Sequence, residues 1–231
     1  MAESRAKAQG LIYAGQALVN GQTISKPSHQ VELGAIVALK NQAKFVSRGG
    51  DKLDHALNLF GINVAGKICL DAGASTGGFT DCLLQRGAQK VYAVDVGKGQ
   101  LHWKLTNDSR VMALDKTNAR YLARESLPEK PQMAVIDVSF ISLTKVLPAV
   151  INILASGAIV VVLVKPQFEA ERNENKRGVV NNPEVRARIV ETIKQFGMQK
   201  LGLEFKGSCE SPLKGPAGNV EFFIYWTKTQ I

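Results

Sequence analysis

KICLDAGASTGGFTDCLLQRGAQKVYAVDVG, residues 67–97, decides the fold of this 231-residue chain. It reads as an apolar strand over residues 68–70, an acid at the carboxyl end of that strand (Asp71), a glycine-rich turn over residues 73–78, a helix, and a second apolar strand ending in another acid, Asp95. A short apolar run that passes through such a turn into helical periodicity and back to a strand is one βαβ unit of a parallel sheet. In its first turn, backbone can meet a nucleotide-like ligand with few side chains in the way.

The spacing narrows the ligand. Gly73-Ala-Ser-Thr-Gly77-Gly78-Phe79 departs from the dinucleotide pattern G-x-G-x-x-G, so a pyrophosphate cradle is disfavoured. S-adenosylmethionine fits the shape. Asp71 is expected to orient the turn and face the cationic methionyl end. Gly73, Ser75, Thr76, Gly77, Gly78 and Phe79 would admit the ligand, and Asp95, with Val96 beside it, would accept the ribose hydroxyls. A third strand over residues 111–114 leads to Asp115 and Lys116, which are expected to border the adenine. An ordinary α/β turn with two strand-end acids is the plainer alternative.

A chain of this length with 45% hydrophobic residues can bury a full core. No apolar run approaches the roughly 20 residues of a membrane helix. The longest strand-like run, residues 158–164, stops at Lys165-Pro166. No signal peptide is read after Arg5 and Lys7. Cys69, Cys82 and Cys209 lack metal-ligand spacing, so no metal is expected and a reducing, cytoplasmic setting is.

The net charge of +9 points to a polyanionic partner. Residues 1–48 carry Arg5, Lys7, Lys26, Lys40, Lys44 and Arg48 against Glu3 and Glu32. A basic module ahead of a cofactor-binding domain suits capture of nucleic acid. Within it, Ser4 is a plausible cap for a helix that ends at Gly15. Residues 17–19 and 22–24 read as a hairpin through Asn20-Gly21, and residues 31–39 as a further pair of short strands around Gly34. The pattern R-x-K-A-x-x-L-I-x-A-G-x-A-L-V-N-G-x-x-I-x-K-P resembles the RNA-binding domain of ribosomal protein S4 type. That resemblance implies a small α+β domain over residues 1–44, lacking the module's first helix, with Arg5 and Lys7 facing RNA phosphates. A solvated basic helix is the alternative reading.

Beyond the module, S-R-G-G-D-K-L, L-D-A-G-A-S-T-G-G-F-T-D, D-V-S-F-I-S-L and L-V-K-P-Q-F-E occur in order. Together they resemble the TlyA (hemolysin A) family of FtsJ-like ribosomal RNA 2′-O-methyltransferases, across essentially the whole chain. The resemblance implies a Rossmann-like S-adenosylmethionine-dependent methyltransferase fold over residues 45–231. Its sheet would be mostly parallel and seven-stranded with an antiparallel last strand. It also implies a Lys-Asp-Lys-Glu tetrad at Lys52, Asp137, Lys165 and Glu221, and ribosomal RNA or ribosomal subunits as partners, with cytidine as the modified nucleotide. Read from the residues alone, Asp137, Lys165 and Glu221 fall at strand ends, where α/β sites gather. Ribose methylation needs an oxygen nucleophile in line with a methyl sulfonium and help in losing its proton.

The remaining chain reads as a helix over residues 51–60 that Asp51 caps after a flexible or left-handed Gly49-Gly50, a helix over residues 143–154, another from Pro183 to near residue 199, and final strands over residues 201–206 and 220–226. Arg48, Arg172, Lys176 and Arg177 are further candidates for RNA contact. Two other functions stand beside the enzyme: a catalytically silent RNA-binding or ribosome-assembly factor, and a pore-forming haemolysin. The latter is disfavoured by the absence of any membrane-length apolar segment.

Overall fold

The computed structural model describes residues 2, 4–40 and 43–229. The chain divides into two compact units, Met1–Lys44 and Phe45–Ile231.

The first unit contains α1 (Arg5–Tyr13), β1 (Ala17–Val19), β2 (Gln22–Ile24) and β3 (Val37–Leu39). Ser4 caps α1, its Oγ accepting from Lys7 N at 3.2 Å. Asn20 (φ 49°) and Gly21 (φ 81°) turn β1 into β2 with both central residues left-handed, the geometry that matches strand twist. β1 is the middle strand, antiparallel to β2 and β3. The expected strand pair over residues 31–39 is corrected to the single strand β3. Val31, Leu33 and Ile36 are exposed, so the preceding segment has no apolar face to bury and runs as a loop. Asn20 pins its end: Ile36 N donates to Asn20 Oδ1, and Asn20 N to Ile36 O, both at 2.8 Å.

The second unit begins with α2 (Arg48–Leu59), then runs β4 (Ile68–Ala72), α3 (Gly78–Gln85), β5 (Lys90–Val94), α4 (Trp103–Thr106), β6 (Val111–Leu114), β7 (Met133–Ile136), α5 (Leu143–Ile153), β8 (Ile159–Val164), α6 (Pro166–Glu169), α7 (Pro183–Leu201), β9 (Leu203–Glu210) and β10 (Phe222–Lys228). One seven-stranded sheet has the order β6-β5-β4-β7-β8-β10-β9. β4 to β8 are mutually parallel, and β10 enters antiparallel between β8 and β9. The mostly parallel sheet with an antiparallel strand at the end of the chain agrees with the expected architecture.

Both faces of the sheet are covered, which is why its central strands read as continuous apolar runs rather than alternating ones. Side chains still alternate within them. Leu70, Ala72, Ala134, Ile136, Val160 and Val162 join α5 and α7 in one buried cluster, while Cys69, Met133, Val135, Val161 and Leu163 join α2 and α3 in the other. From β4 the chain moves outward to β5 and β6, then returns to place β7 on the other side of β4. The carboxyl ends of β4 and β7 therefore form the topological switch point, where open α/β sheets bind ligands.

α2 starts at Arg48, three residues before the expected helix, and Gly49-Gly50 lie inside its first turn rather than in a flexible linker. Their smallness serves packing. A Cβ on Gly50 would sit 2.2 Å from the buried Phe45 ring, and one on Gly78 would sit 2.2 Å from Ser47 Oγ and 2.9 Å from Gly50 N. Glycine at 78 lets the start of α3 lie directly against the start of α2, and glycine at 50 makes room there for the Phe45 ring.

Candidate active site

The turn after β4 is built by left-handed backbone at Gly73 (φ 88°), Ser75 (φ 49°) and Gly77 (φ 94°). Gly73 must be glycine on a second count, since a Cβ there would lie 2.4 Å from the carbonyl oxygen of Asp137 across the switch point. Asp95, just past the end of β5, fixes the turn: its Oδ2 accepts from Ser75 N and its Oδ1 from Gly97 N, each at 2.8 Å. Beside it opens a cleft of about 530 Å³ whose lining includes Gly73, Ser75, Asp95, Val96, Asn118 and Phe140.

A second cavity of about 240 Å³ adjoins the first and shares Gly73, Ser75 and Asp137 with it. Lys52, Asp137, Lys165 and Glu221 all line this smaller cavity, contributed by α2, the end of β7, the end of β8 and the start of β10. Lys52 Nζ lies 2.5 Å from Glu221 Oε2. Lys165 Nζ lies 2.5 Å from Asp137 Oδ1, in an orientation that makes an ion pair rather than a directed hydrogen bond, and donates to Ser139 Oγ at 3.0 Å. The four residues thus form two cation–carboxylate pairs around one space.

Other expected ligand residues are placed differently. Asp71 is fully buried and lines neither cavity; its Oδ2 accepts from Thr80 Oγ1 at 2.7 Å. Burial pushes its carboxyl up to about 7, against the lowering effect of the Thr80 hydrogen bond. β4 runs on to Ala72, so Asp71 belongs to the strand interior, on the face that meets α3, and braces the turn from behind. Asp115 Oδ2 accepts from Gly99 N at 2.9 Å, and Lys116 (φ 52°) donates its N–H to Gly97 O at 2.8 Å. Both shape the loops around Asp95, and the residues that reach the cleft are the next three, Thr117, Asn118 and Ala119. Gly77 also stays outside both cavities, its missing side chain making room for Leu101 and Leu105. Thr76, Gly78 and Phe79 line the smaller cavity rather than the cleft.

Residues not singled out from sequence complete the site. Ser139 and Phe140 sit inside the D-V-S-F motif, and Pro216 lies in the Pro/Gly-rich connection before β10. Gly215 approaches Glu221 so closely that a Cβ would meet Oε1 at 2.6 Å. Of the basic candidates, Arg48 lines the smaller cavity. Arg172, Lys176 and Arg177 are exposed on the connection between α6 and α7 and line neither cavity. Arg5 and Lys7 are exposed on α1 of the first unit. Among the described residues, no group of His, Cys, Asp or Glu could hold a metal ion, and no helix is long and apolar enough to cross a membrane.

A seven-stranded sheet of this order, with a cleft at its switch point, defines the class of α/β methyltransferases. The magnesium protoporphyrin IX methyltransferase of Synechocystis shares that fold, with a TM-score of 0.53 at 15% identity over 82% of this chain and 86% of the other. The family follows from closer comparisons. Residues 45–228 match the FtsJ-like methyltransferase model and residues 1–37 the S4 domain model, and the chain belongs to the FtsJ-like methyltransferase family. It is 47% identical to the 16S/23S rRNA (cytidine-2′-O)-methyltransferase TlyA of Mycobacterium tuberculosis, over all of this chain and 86% of that protein. A solved structure assigned as a candidate hemolysin of Streptococcus thermophilus is 44% identical, with a TM-score of 0.80 over 98% of this chain and 84% of the other.

Proposed function

We propose that this methyltransferase transfers a methyl group from S-adenosylmethionine to the ribose 2′-hydroxyl of a cytidine in ribosomal RNA, in the cytoplasm. The observation that carries the reading is the gathering of Lys52, Asp137, Lys165 and Glu221 around one small cavity that opens onto the larger cleft at Asp137.

The cleft fits the cofactor. Gly73 lines the cleft with bare backbone, Asp95 offers acceptor capacity to a ribose diol beyond the two amides it already holds, and Asn118 and Phe140 line it as well. When bound, S-adenosylmethionine supplies an electrophilic methyl group. The smaller cavity takes the target ribose. Lys165, held by Asp137 and Ser139, addresses the hydroxyl, and it accepts the hydroxyl proton only once its ammonium has passed its own proton to Asp137. Lys52 and Glu221 line the same cavity and keep each other in place. Placing the hydroxyl against the donor replaces a bimolecular encounter by an oriented one, and the acid–base group adds roughly 10² to 10⁴-fold.

Residues 1–44 act as the RNA-capturing domain, with Arg5 and Lys7 on phosphates, and residues 45–231 carry the chemistry. Arg48 at the cavity, and Arg172, Lys176 and Arg177 exposed on the connection between α6 and α7, supply further positive charge for the backbone of the bound RNA. The test is transfer of labelled methyl from S-adenosylmethionine to ribosomal RNA by the purified protein, with the modified nucleotide mapped by reverse-transcription stops. Label on a ribose 2′-oxygen of cytidine is the expected outcome. Absence of transfer to either subunit or to naked ribosomal RNA would overturn the proposal.

A further inference from the structure

Two segments that leave the sheet side by side carry half of the tetrad: residues 137–143 after β7 and residues 165–169 after β8. They are joined by a series of contacts in register. Lys165 meets Asp137 and Ser139, the Phe168 ring packs on that of Phe140 with centroids 5.0 Å apart, and Glu169 receives the start of α5. Glu169 Oε1 accepts from Leu143 N at 2.7 Å and its Oε2 from Ser142 Oγ at 2.6 Å. Leu143 and Ser142 are the first residue and the cap of an eleven-residue helix, so the carboxylate also meets the positive end of the α5 dipole.

We infer that Glu169 is a positioning residue for Lys165, setting its placement through α6. This rests on the proposed role of Lys165 in methyl transfer. Lys165 is the residue that caps α6, and Glu169 is the last residue of that four-residue helix. A helix of one turn has almost no stability of its own, so its orientation is set by what anchors its far end. Phe140 raises the need for an anchor: it holds a left-handed backbone (φ 63°) while 91% exposed, a conformation costly for a bulky residue and held only when its surroundings fix it. Glu169 lines neither cavity, so it has no direct reach to the reacting groups in them. It is half-buried, and burial raises its carboxyl above the usual range while the bonds from Leu143 and Ser142 oppose that.

The test compares parent, Glu169→Ala and Glu169→Gln by single-turnover methylation of ribosomal RNA, with calorimetric titration of S-adenosylmethionine and thermal unfolding in parallel. Displacing a reacting group by about 1 Å costs on the order of 100-fold in rate. Glu169→Ala is expected to lose about 10- to 100-fold in the transfer step while cofactor affinity and the RNA concentration for half-maximal rate stay within about threefold. Glu169→Gln, which keeps one acceptor but sets an amide NH2 against the second donor, is expected to recover part of that loss. If Glu169→Ala does not fold, the Gln variant decides: a folded Glu169→Gln with fully parental transfer overturns the inference. Parental transfer by a folded Glu169→Ala overturns it as well, as does a loss confined to cofactor affinity. Failure of the parent protein itself to methylate RNA would overturn the proposed function instead, so the two failures are distinguishable.

Discussion

Lys52 and Glu221, 169 positions apart in the chain, meet with Nζ 2.5 Å from Oε2 at exposures of only 8% and 1%. The pair ties α2 to the start of β10 and so closes one wall of the smaller cavity. Two charges taken out of water offset their desolvation only through each other, and losing one partner strands the other.

Glu221→Ala is therefore expected to lower the free energy of unfolding by about 3–5 kcal/mol as well as to abolish transfer. Replacing both partners, Lys52→Met with Glu221→Leu, should restore most of that stability and none of the activity. Urea unfolding of the three proteins checks this; a Glu221→Ala protein as stable as the parent would mean that the pair is not desolvated in solution.

Asp95 holds two backbone amides and still faces the cleft. Asp95→Ala should weaken S-adenosylmethionine binding by about 1.5–3 kcal/mol, the worth of hydrogen bonds to a charged group, with the lost hold on Ser75 adding to the effect. An unchanged dissociation constant in calorimetry would remove Asp95 from the cofactor site.

Asp71 predicts a pH dependence of unusual sign. Its carboxyl titrates near 7 in the fold and about 3.9 in the unfolded chain. Between these values the folded state holds a proton that the unfolded state has released. This group's contribution to stability is therefore complete below the unfolded value and is lost as pH rises toward 7, at up to about 1.4 kcal/mol per pH unit. Denaturant unfolding at intervals from pH 5 to 8 should show Asp71→Asn with a flatter profile than the parent and its greatest relative stability at pH 8. Parallel profiles for the two proteins would contradict the buried, proton-holding carboxyl.

The same residue illustrates what a sequence can and cannot convey. The βαβ unit is readable because apolar runs on either side of a Gly-rich turn and a helical period are compatible with little else, and β6 and the β1–β2 hairpin fall where patterning puts them. Asp71 differs from its expected role because strand ends are the weakest part of such patterning. Ending β4 at residue 70 makes Asp71 a ligand; extending it to Ala72 turns the side chain toward Thr80. Three tetrad members stand at strand ends and are visible there, whereas Lys52 comes from a helix. Its arrival depends on the contacts made through Gly50 and Gly78, which only the packed structure displays. Glycines that read as flexibility serve as clearance.

The basic residues of α1 give a prediction independent of the chemistry. Arg5→Ala with Lys7→Ala should raise the dissociation constant for ribosomal RNA and reduce the slope of log K against log salt by about 1–2, near 0.7–0.9 for each phosphate contact removed. Filter binding across a salt series measures it. An unchanged slope would mean that neither residue meets a phosphate.

Lys165 separates substrate from cofactor most sharply, because it lines the smaller cavity and not the cleft. Its contacts are Asp137 and Ser139, both on the segment leaving β7. Lys165→Ala should therefore fold and bind S-adenosylmethionine nearly as well as the parent, yet lose transfer by roughly 10² to 10⁴-fold, as expected for removal of an acid–base group. Lys165→Arg should remain inactive although it keeps a cation beside Asp137, because a guanidinium stays protonated and cannot accept the hydroxyl proton. Single-turnover methylation with labelled donor, with circular dichroism and cofactor titration as controls, reads all three variables. Parental turnover by folded Lys165→Ala would exclude the tetrad chemistry. A collapse of cofactor binding would place Lys165 on the donor side of the site, and strong activity of Lys165→Arg would leave it as an electrostatic orienting group rather than a proton acceptor.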